Sequence, residues 1–413
     1  MNSFLESLRP RLQAEPYASV IVVTGNESAD LDSIVSALTT SFFLSLLLVN
    51  KDKIIIPFVN IFKADLRLRS DVDYVFHITQ INPDLLFFRD DLPLLEKLVP
   101  KNQLSLFLVD HNKVTGTMNS LANATVVGLL DHHVDEKMYQ ETANPRRIEV
   151  VGSCATLVAK EFLQNALDND RSDQDGIPHH HDDANDGHPH PWVRHVARLL
   201  LGPILIDTMN LDPAMGKVQP LDIAMADLAF PLTGLTSKDE LYRKIEKARL
   251  NTSKIPFYDL LRKDYKEWTV VQAATSQPIK VGMSSVVGLM EQYVERDGKD
   301  LLHEKIDQWA KERELDVIVV GLAGDDNGKF KRQVIVNPMV GFVGDLGDRL
   351  GHVLDLKMER ISLVDTDAFV AKGGRAFWQH NFAASRKQVW PAVEKLLTQP
   401  EERRSGLVNQ ANI

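Results

Sequence analysis

Residues Ala18–Leu38 read ASVIVVTGNESADLDSIVSAL, and the parsing of this stretch decides the fold. Ser19–Val23 is a short β-branched run of the kind carried by a strand buried on both faces. Gly25 ends it, and the polar loop Asn26-Glu27-Ser28-Ala29-Asp30-Leu31-Asp32 follows. From Ser33 the period changes: Ile34, Leu38, Phe42 and Leu46 recur at helical spacing. Asp30 and Asp32 therefore fall where a strand's C-terminal end meets a helix N-terminus, the ligand crevice of an open α/β sheet. An N-cap Asp with a solvated neighbour would produce the same local sequence. The further signal is that acidic or histidine clusters close other apolar runs downstream.

Ile54–Phe58 reads as a second strand and Asp65–Ile78 as a helix. Leu104–Asp110 (LSLFLVD) ends in Asp110-His111-Asn112-Lys113, and Thr125–Asp131 (TVVGLLD) ends in Asp131-His132-His133. This alternation predicts an α/β fold with a doubly wound, mostly parallel N-terminal sheet. Strand C-termini share one edge in such a sheet, so Asp30/Asp32, Asp110 and Asp131–His133 can converge although they lie far apart along the chain.

Ile148–Val151 leads into Gly152-Ser153-Cys154-Ala155-Thr156, which opens a helix reaching about Leu167. A glycine and hydroxyls at a helix start cap it or hold an anion. Asp168–His190 (DNDRSDQDGIPHHHDDANDGHPH) has almost no apolar residue and predicts a mobile surface insertion. Its His179, His180 and His181 would pay a large ordering cost to hold a metal from there. Pro191–Leu205 returns to a helical pattern and delivers Asp207, Leu221–Phe230 is a short helix, and Pro231–Ser237 (PLTGLTS) reads as a linker.

Two domains are expected from the length, 1–235 and 236–413, the second a smaller α/β domain. In that half, Lys280–Val287, Asp316–Leu322 and Lys331–Asn337 read as strands, and Gly341–Val353 and Ser385–Leu397 as helices. Basic residues cluster at Arg262-Lys263-Asp264-Tyr265-Lys266 and at Ser385-Arg386-Lys387, the latter at a helix start where a bound anion would offset cations set against the dipole. The net charge of −10 resolves into −12 for residues 1–235 and +2 for the rest. An acidic half able to hold cations, joined to a half with local basic clusters, suits anionic-substrate chemistry at metals.

A single cysteine, Cys154, excludes an internal disulfide and fits a reducing compartment. No signal-peptide h-region or bilayer-length apolar run is present, so the expectation is a cytoplasmic protein without membrane contact. The absence of GxxxxGK[ST] excludes a P-loop nucleotide triphosphatase. Asp30, Asp32, Asp110, Asp207 and His132 provide hard oxygen donors and one nitrogen, a set suited to Mn²⁺, Mg²⁺ or Co²⁺. Four carboxylates exceed the need of one divalent ion and would balance two, the arrangement of two-metal phosphoester hydrolysis.

Asp131-His132-His133 after a strand, preceded by Asp30-Leu31-Asp32 and Asp110-His111-Asn112, resembles the DHH phosphoesterase superfamily. GNESADLDS, GSCATLV and ILIDTMNLD are similar to its exopolyphosphatase/prune branch, closest to the fungal-type cytosolic exopolyphosphatases. RKDYKEW, VGMSSV and SRKQVWP resemble the second domain shared with family II inorganic pyrophosphatases. The resemblance implies that two divalent metal ions are bound by Asp30, Asp32, Asp110, His132 and Asp207, with Asp110 bridging. It also implies that His133 faces the substrate phosphate, that Lys266, Arg386 and Lys387 bind phosphates, and that the active site is the cleft between the domains. His133, Asp110 and Arg386 are then the catalytic candidates. Pyrophosphatases have His where this chain has Asn26, a poor metal ligand placed on the substrate side, which argues against pyrophosphatase activity. Animal prune-like proteins lack the second His of the motif, whereas His132 and His133 both stand here, which favours exopolyphosphatase. The expected activity is removal of terminal phosphate from linear inorganic polyphosphate by metal-activated hydroxide, by a monomer that binds no nucleic acid. The alternatives are a prune-like phosphatase of short polyphosphates or nucleotide phosphates, a nuclease, and a non-catalytic interaction protein on the same fold.

Overall fold

The computed structural model describes residues 1–14, 19–47, 53–171, 191–252, 255–272 and 276–398. The insertion expected at Asp168–His190 lies outside these, apart from Asp168–Arg171 at the end of a helix. The chain divides into two compact units, Met1–Arg249 and Leu250–Ile413. The division falls beyond the Pro231–Ser237 stretch because the helix Lys238–Leu250 packs Leu241 and Ile245 into the first unit's core.

The first unit carries strands β1 (Ser19–Thr24), β2 (Lys53–Val59), β3 (Phe87–Phe88), β4 (Leu104–Val109), β5 (Thr125–Asp131) and β6 (Arg146–Ile148). They form one sheet in the order β3-β2-β1-β4-β5-β6, and every neighbouring pair is parallel. The order reverses direction between β1 and β4, so the loops leaving those two strands part from each other and open a crevice at their C-terminal ends. The helices of this unit are α1 (Asn2–Gln13), α2 (Leu31–Leu47), α3 (Ser70–Thr79), α4 (Leu92–Glu96), α5 (Cys154–Val158), α6 (Asn165–Arg171), α7 (Pro191–Asp207), α8 (Pro220–Ala229) and α9 (Lys238–Leu250). A π-helical turn, Ala159–Gln164, joins α5 to α6, giving the continuous helical run expected from Cys154 onward.

β1 lies at the centre because its β-branched residues can be covered on both faces; Val20, Val22 and Val23 are fully buried. Gly25 then allows the chain to fold tightly back, since a Cβ there would lie 2.6 Å from the Cβ of Ser33. Asp65–Ile78 is not one helix: a 3-10 turn, Lys63–Leu68, and α3 are separated at Arg69. Arg69 leaves helical geometry (φ −112°, ψ 71°), and its guanidinium donates to the carbonyls of Ala29 and Ser28 at 2.6 and 2.5 Å. The residue that breaks the helix thus holds the loop that follows β1.

The second unit has β7 (Tyr265–Val271), β8 (Pro278–Val287), β9 (Val317–Asp326), β10 (Lys329–Pro338), β11 (Met358–Ile361) and β12 (Arg375–Gln379) in the order β11-β12-β10-β9-β8-β7. Only β8 and β9 pair in parallel; the other neighbours are antiparallel. Its helices are α10 (Phe257–Lys263), α11 (Met290–Asp297), α12 (Lys299–Glu312), α13 (Leu346–Gly351), α14 (Asp367–Ala371) and α15 (Arg386–Thr398). One core lies on each side of the sheet strands, the first around Ile318, Val320 and Ile335, the second around Val319, Val334 and Val336. The helix expected over Gly341–Val353 shortens to a 3-10 turn and α13, because Gly341, Gly344, Gly347 and Gly351 weaken it.

β4 and β5 deliver most of the clustered acids and histidines, and they pack with no slack. Gly128 faces Phe107, where a Cβ would lie 2.3 Å from the ring. Gly128→Ala should therefore destabilise the first unit by about 1–3 kcal/mol, because the aromatic ring has to move in a filled core. A urea unfolding midpoint equal to that of the parent would show that the ring yields freely.

Candidate metal centre

The crevice at the ends of β1, β4 and β5 is built from three loops and three helix ends. α2 places Asp32 in its first turn, and the Asp30 carboxylate caps the helix by accepting from Ser33 N at 3.0 Å. Asp32 is buried and accepts from Cys154 N and Ala155 N, at 2.6 and 2.8 Å, the free N–H groups that open α5. Asp110 follows β4 with φ +61°, an uncommon conformation for a side-chain-bearing residue. Its Oδ2 accepts from Ser33 Oγ at 2.5 Å and from Asn26 Nδ2 at 2.7 Å, while Oδ1 lies 3.1 Å from His132 Nε2.

The two histidines differ in what holds them. His132 Nδ1 contacts the carbonyl of Val151 at 3.0 Å, which requires that nitrogen to carry the proton and leaves Nε2 to face Asp110. This is how a metal-ligating histidine is normally oriented. His133 Nδ1 donates to Asp131 Oδ1 at 2.8 Å, and the ring is half exposed. Asp131 is fully buried and also accepts from His132 N, His133 N and Asn112 Nδ2. It is an anchor whose acceptor capacity is used up inside the protein. Asp110, His132 and His133 bring ligand atoms within 4.8 Å of one another.

Asp207 ends α7 beside the same acids. Its Oδ2 is buried with no hydrogen-bond partner among the described residues, and the Ser153 hydroxyl lies close enough to favour its charged form. Burial, with the charges of Asp32 and Asp30, pushes Asp207 well above the usual carboxylate range. Crowding by the protein and the charges of Asp110 and Asp32 raise Asp30 to about 7, although its surface remains open to water. Burial and Asp110 raise Asp32 to about 6. Burial opposes a charge on His132, but Asp110 and Asp32 overcome it and lift that imidazole to about 10. Without a cation the cluster relieves its own repulsion by holding protons. An orphaned buried carboxylate oxygen, carboxylates forced toward neutrality and a histidine whose Nδ1 is already committed fit a divalent cation site.

Asp30, Asp32, Asp110, His132, His133, Asp207 and Asn26 are thus gathered in the first unit. Asn26 serves there as a donor to Asp110 rather than as a free group. Lys266, Arg386 and Lys387 belong to the second unit: Lys266 is exposed on β7, and Arg386 opens α15 with Lys387 exposed beside it. Arg386 pairs with Asp264 at 2.7 Å and donates to its carbonyl at 3.2 Å, and α15 is braced on β7 by the stacked Trp268 and Trp390 rings. Sequence reasoning missed Ser33, Asn112, Ser153 and the anchoring role of Asp131. Asp131 carried a signal in its place directly before two histidines, and Ser153 in the glycine and hydroxyls that open a helix.

Two family descriptions match the chain: "DHH family, N-terminal domain" over residues 20–184 and "DHHA2 domain" over 243–396. A Schizosaccharomyces pombe protein named "Putative exopolyphosphatase" is 31% identical over 374 residues, covering 90% of this chain and 89% of its own. Human Exopolyphosphatase PRUNE1 is 28% identical over 405 residues, 96% of this chain and 80% of its own. The manganese-dependent inorganic pyrophosphatase of Methanocaldococcus jannaschii is 22% identical over 312 residues, 72% of this chain and 86% of its own. The crystal structure of a Methanococcus jannaschii "putative family II inorganic pyrophosphatase" superposes with a TM-score of 0.57, covering 91% of this chain and 99% of that one at 19% identity, a likeness of fold.

The raised groups set a pH dependence. Asp30 and Asp32 resist ionisation in the folded chain up to about 7 and about 6, so the metal-free protein loses their contribution as pH rises from about 4 through that window. His132 contributes stability below its ordinary value and loses it as pH rises toward about 10. Both trends run the same way. The melting temperature of chelator-treated protein should fall between pH 5 and 8, and added Mn²⁺ should raise it more at pH 8 than at pH 5.5. Metal uptake in weak buffer should release protons, with affinity climbing about tenfold per pH unit for each proton displaced. Mn²⁺ affinity independent of pH would remove the cluster as the binding site.

Proposed function

The chain belongs to the exopolyphosphatase branch of the DHH/DHHA2 family, and on that premise we propose that it is a metal-dependent exopolyphosphatase releasing terminal phosphate from linear inorganic polyphosphate. The observation that carries this reading is the convergence of Asp30, Asp32, Asp110, Asp207 and His132 at one sheet edge, with His132 Nδ1 committed to Val151 so that Nε2 is left for a metal. These five residues would hold two divalent ions, since two such ions balance four carboxylates, and Asp110 at the centre of the contacts is the assigned bridge. Bound there, the ions supply neutralisation of phosphate charge and a water of lowered pKa.

The chain's own residues do the rest. Asp131 keeps the His133 Nδ1 proton in place, and burial's tendency to raise Asp131 is overcome by the hydrogen bonds and charge of His133 and by Asn112, which hold it below the usual range. With Nδ1 so engaged, Nε2 of the half-exposed His133 ring is left for a phosphate oxygen, to which the imidazolium form would donate a proton or hydrogen bond. Ser33 and Asn26 fix one oxygen of Asp110 and leave the other toward His132. Lys266, Arg386 and Lys387 are assigned to the phosphates of the polyanion, with Arg386 exchanging its Asp264 partner for substrate.

Phosphate release from long polyphosphate should vanish in excess chelator and return with Mn²⁺, Mg²⁺ or Co²⁺, while pyrophosphate should be a poor substrate. Asp110→Asn should be among the most damaging ligand changes, and a near-normal rate in that variant would disprove the bridging assignment. Arg386→Ala should lower kcat/KM by about ten- to a hundredfold, the cost of about 1.5–3 kcal/mol for a lost charged contact, with metal affinity intact. Arg386→Lys should rescue only part, because a point charge does not replace a two-pronged donor. If Arg386→Ala matches the parent in rate and in salt dependence, the phosphate clamp lies elsewhere.

A further inference from the structure

Asp222 lies fully buried in the first turn of α8 and takes no part in the chemistry above. Its Oδ2 accepts from Gln219 N at 2.7 Å, an ordinary cap of its own helix. The same oxygen accepts from Gly152 N at 2.8 Å, 70 residues back in the chain, and Oδ1 accepts from Thr156 Oγ at 2.5 Å. These last two bonds pin both ends of the short segment Gly152–Thr156.

That segment touches three of the residues assigned to metal. The carbonyl of Val151, just before it, receives His132 Nδ1. Cys154 N and Ala155 N hold both oxygens of Asp32. The hydroxyl of Ser153 lies beside Asp207 and favours its charged form. Gly152 leaves no room for adjustment: a Cβ there would meet Thr208 Cγ2 at 2.4 Å and Asp222 Oδ2 at 3.0 Å, and Thr208 directly follows Asp207.

We propose that Asp222 is a positioning residue of the metal centre, fixing the Val151–Thr156 loop from behind and through it the directions of His132, Asp32 and Asp207. The proposal rests on the reading of those three residues as metal ligands. A carboxylate suits the task because all three neighbours donate, and an acceptor-only group satisfies them at once. An amide keeps the shape, since the Thr156 hydroxyl can turn to accept from Nδ2, but it gives up the charge assistance of every bond. Alanine loses all three bonds.

The test is Mn²⁺ binding by calorimetry at a temperature well below each variant's own metal-free melting point, with the electron paramagnetic resonance spectrum of bound Mn²⁺ as a second readout. Thr156→Val cuts one arm of the loop and leaves the α8 cap intact, so it carries the test even if Asp222→Ala fails to fold. Mn²⁺ should bind ten- to a hundredfold more weakly in Asp222→Ala, with Thr156→Val and Asp222→Asn weakened less, and the spectrum of the bound ion should change in each. A purely structural Asp222 would lower melting temperatures and leave the Mn²⁺ affinity of folded protein untouched. Affinity within twofold of the parent in both Thr156→Val and Asp222→Asn, with Asp110→Asn impaired, overturns the proposal. A parent-like Asp110→Asn instead removes the ligand assignment, and this inference with it.

Discussion

Mutual repulsion among Asp30, Asp32, Asp110 and Asp207 is the constraint on which the site's architecture depends. Two of them, Asp32 and Asp110, are almost wholly buried, and like charges taken out of water repel strongly. Much of the surrounding polar structure consists of donors aimed at these oxygens. Asp32 is held by two helix-opening N–H groups, Asp110 by a serine and an asparagine, and Asp30 by the first turn of α2. These bonds fix the oxygens without cancelling their charge. Arg249, tied to Glu246, lies close enough to be influenced by Asp71 and Asp207, while Arg69 donates to the Ala29 and Ser28 carbonyls of the β1–α2 loop and to that of Asp65. These arginines steady the frame around the acids, and a divalent cation would supply the positive charge the cluster itself calls for.

Sheet topology explains why these residues can be rigid and accessible together. A strand that ends at the edge of a parallel sheet presents its last side chain at a fixed height, and the reversal between β1 and β4 keeps neighbouring loops from covering it. Asp110 and Asp131 end adjacent strands and nevertheless play opposite parts. Asp131 still pairs within the sheet and turns inward to bind its own histidines, whereas Asp110 steps out of the sheet into a left-handed conformation. That single backbone change moves a carboxylate from the frame into the crevice.

The sequence made β1, α2, β4 and β5 legible because their apolar runs are long, the period turns helical after Gly25, and polar clusters close the runs at Asp110 and Asp131. It also made Asp30, Asp32, Asp110 and His132 legible as a convergent group, since a parallel sheet collects its strand ends whatever their separation along the chain. It was blind to β7, β11 and β12: the first and second are edge strands with charged, half-exposed residues, and the third is only five residues long. Such strands lack the alternation that a half-buried strand shows. The division of labour between Asp131 and Asp110 was illegible for another reason. Both end apolar strands and both precede histidine, so only backbone conformation tells them apart.

The consecutive histidines show how far a short motif can encode chemistry. Adjacent residues leaving a strand point to different sides, and here the two rings meet edge to face at 4.5 Å between centres. Each ring has its Nδ1 hydrogen fixed, but by partners of different charge. A neutral carbonyl holds His132 and leaves its Nε2 toward Asp110, while His133 is held by a buried carboxylate that also accepts from His132 N and Asn112 Nδ2. One ring is thus turned toward Asp110, where, against the opposition of burial, Asp110 and Asp32 lift its imidazole to about 10, and its neighbour stays half exposed. The orientation of the two rings therefore resides as much in Val151 and Asp131 as in the histidines themselves.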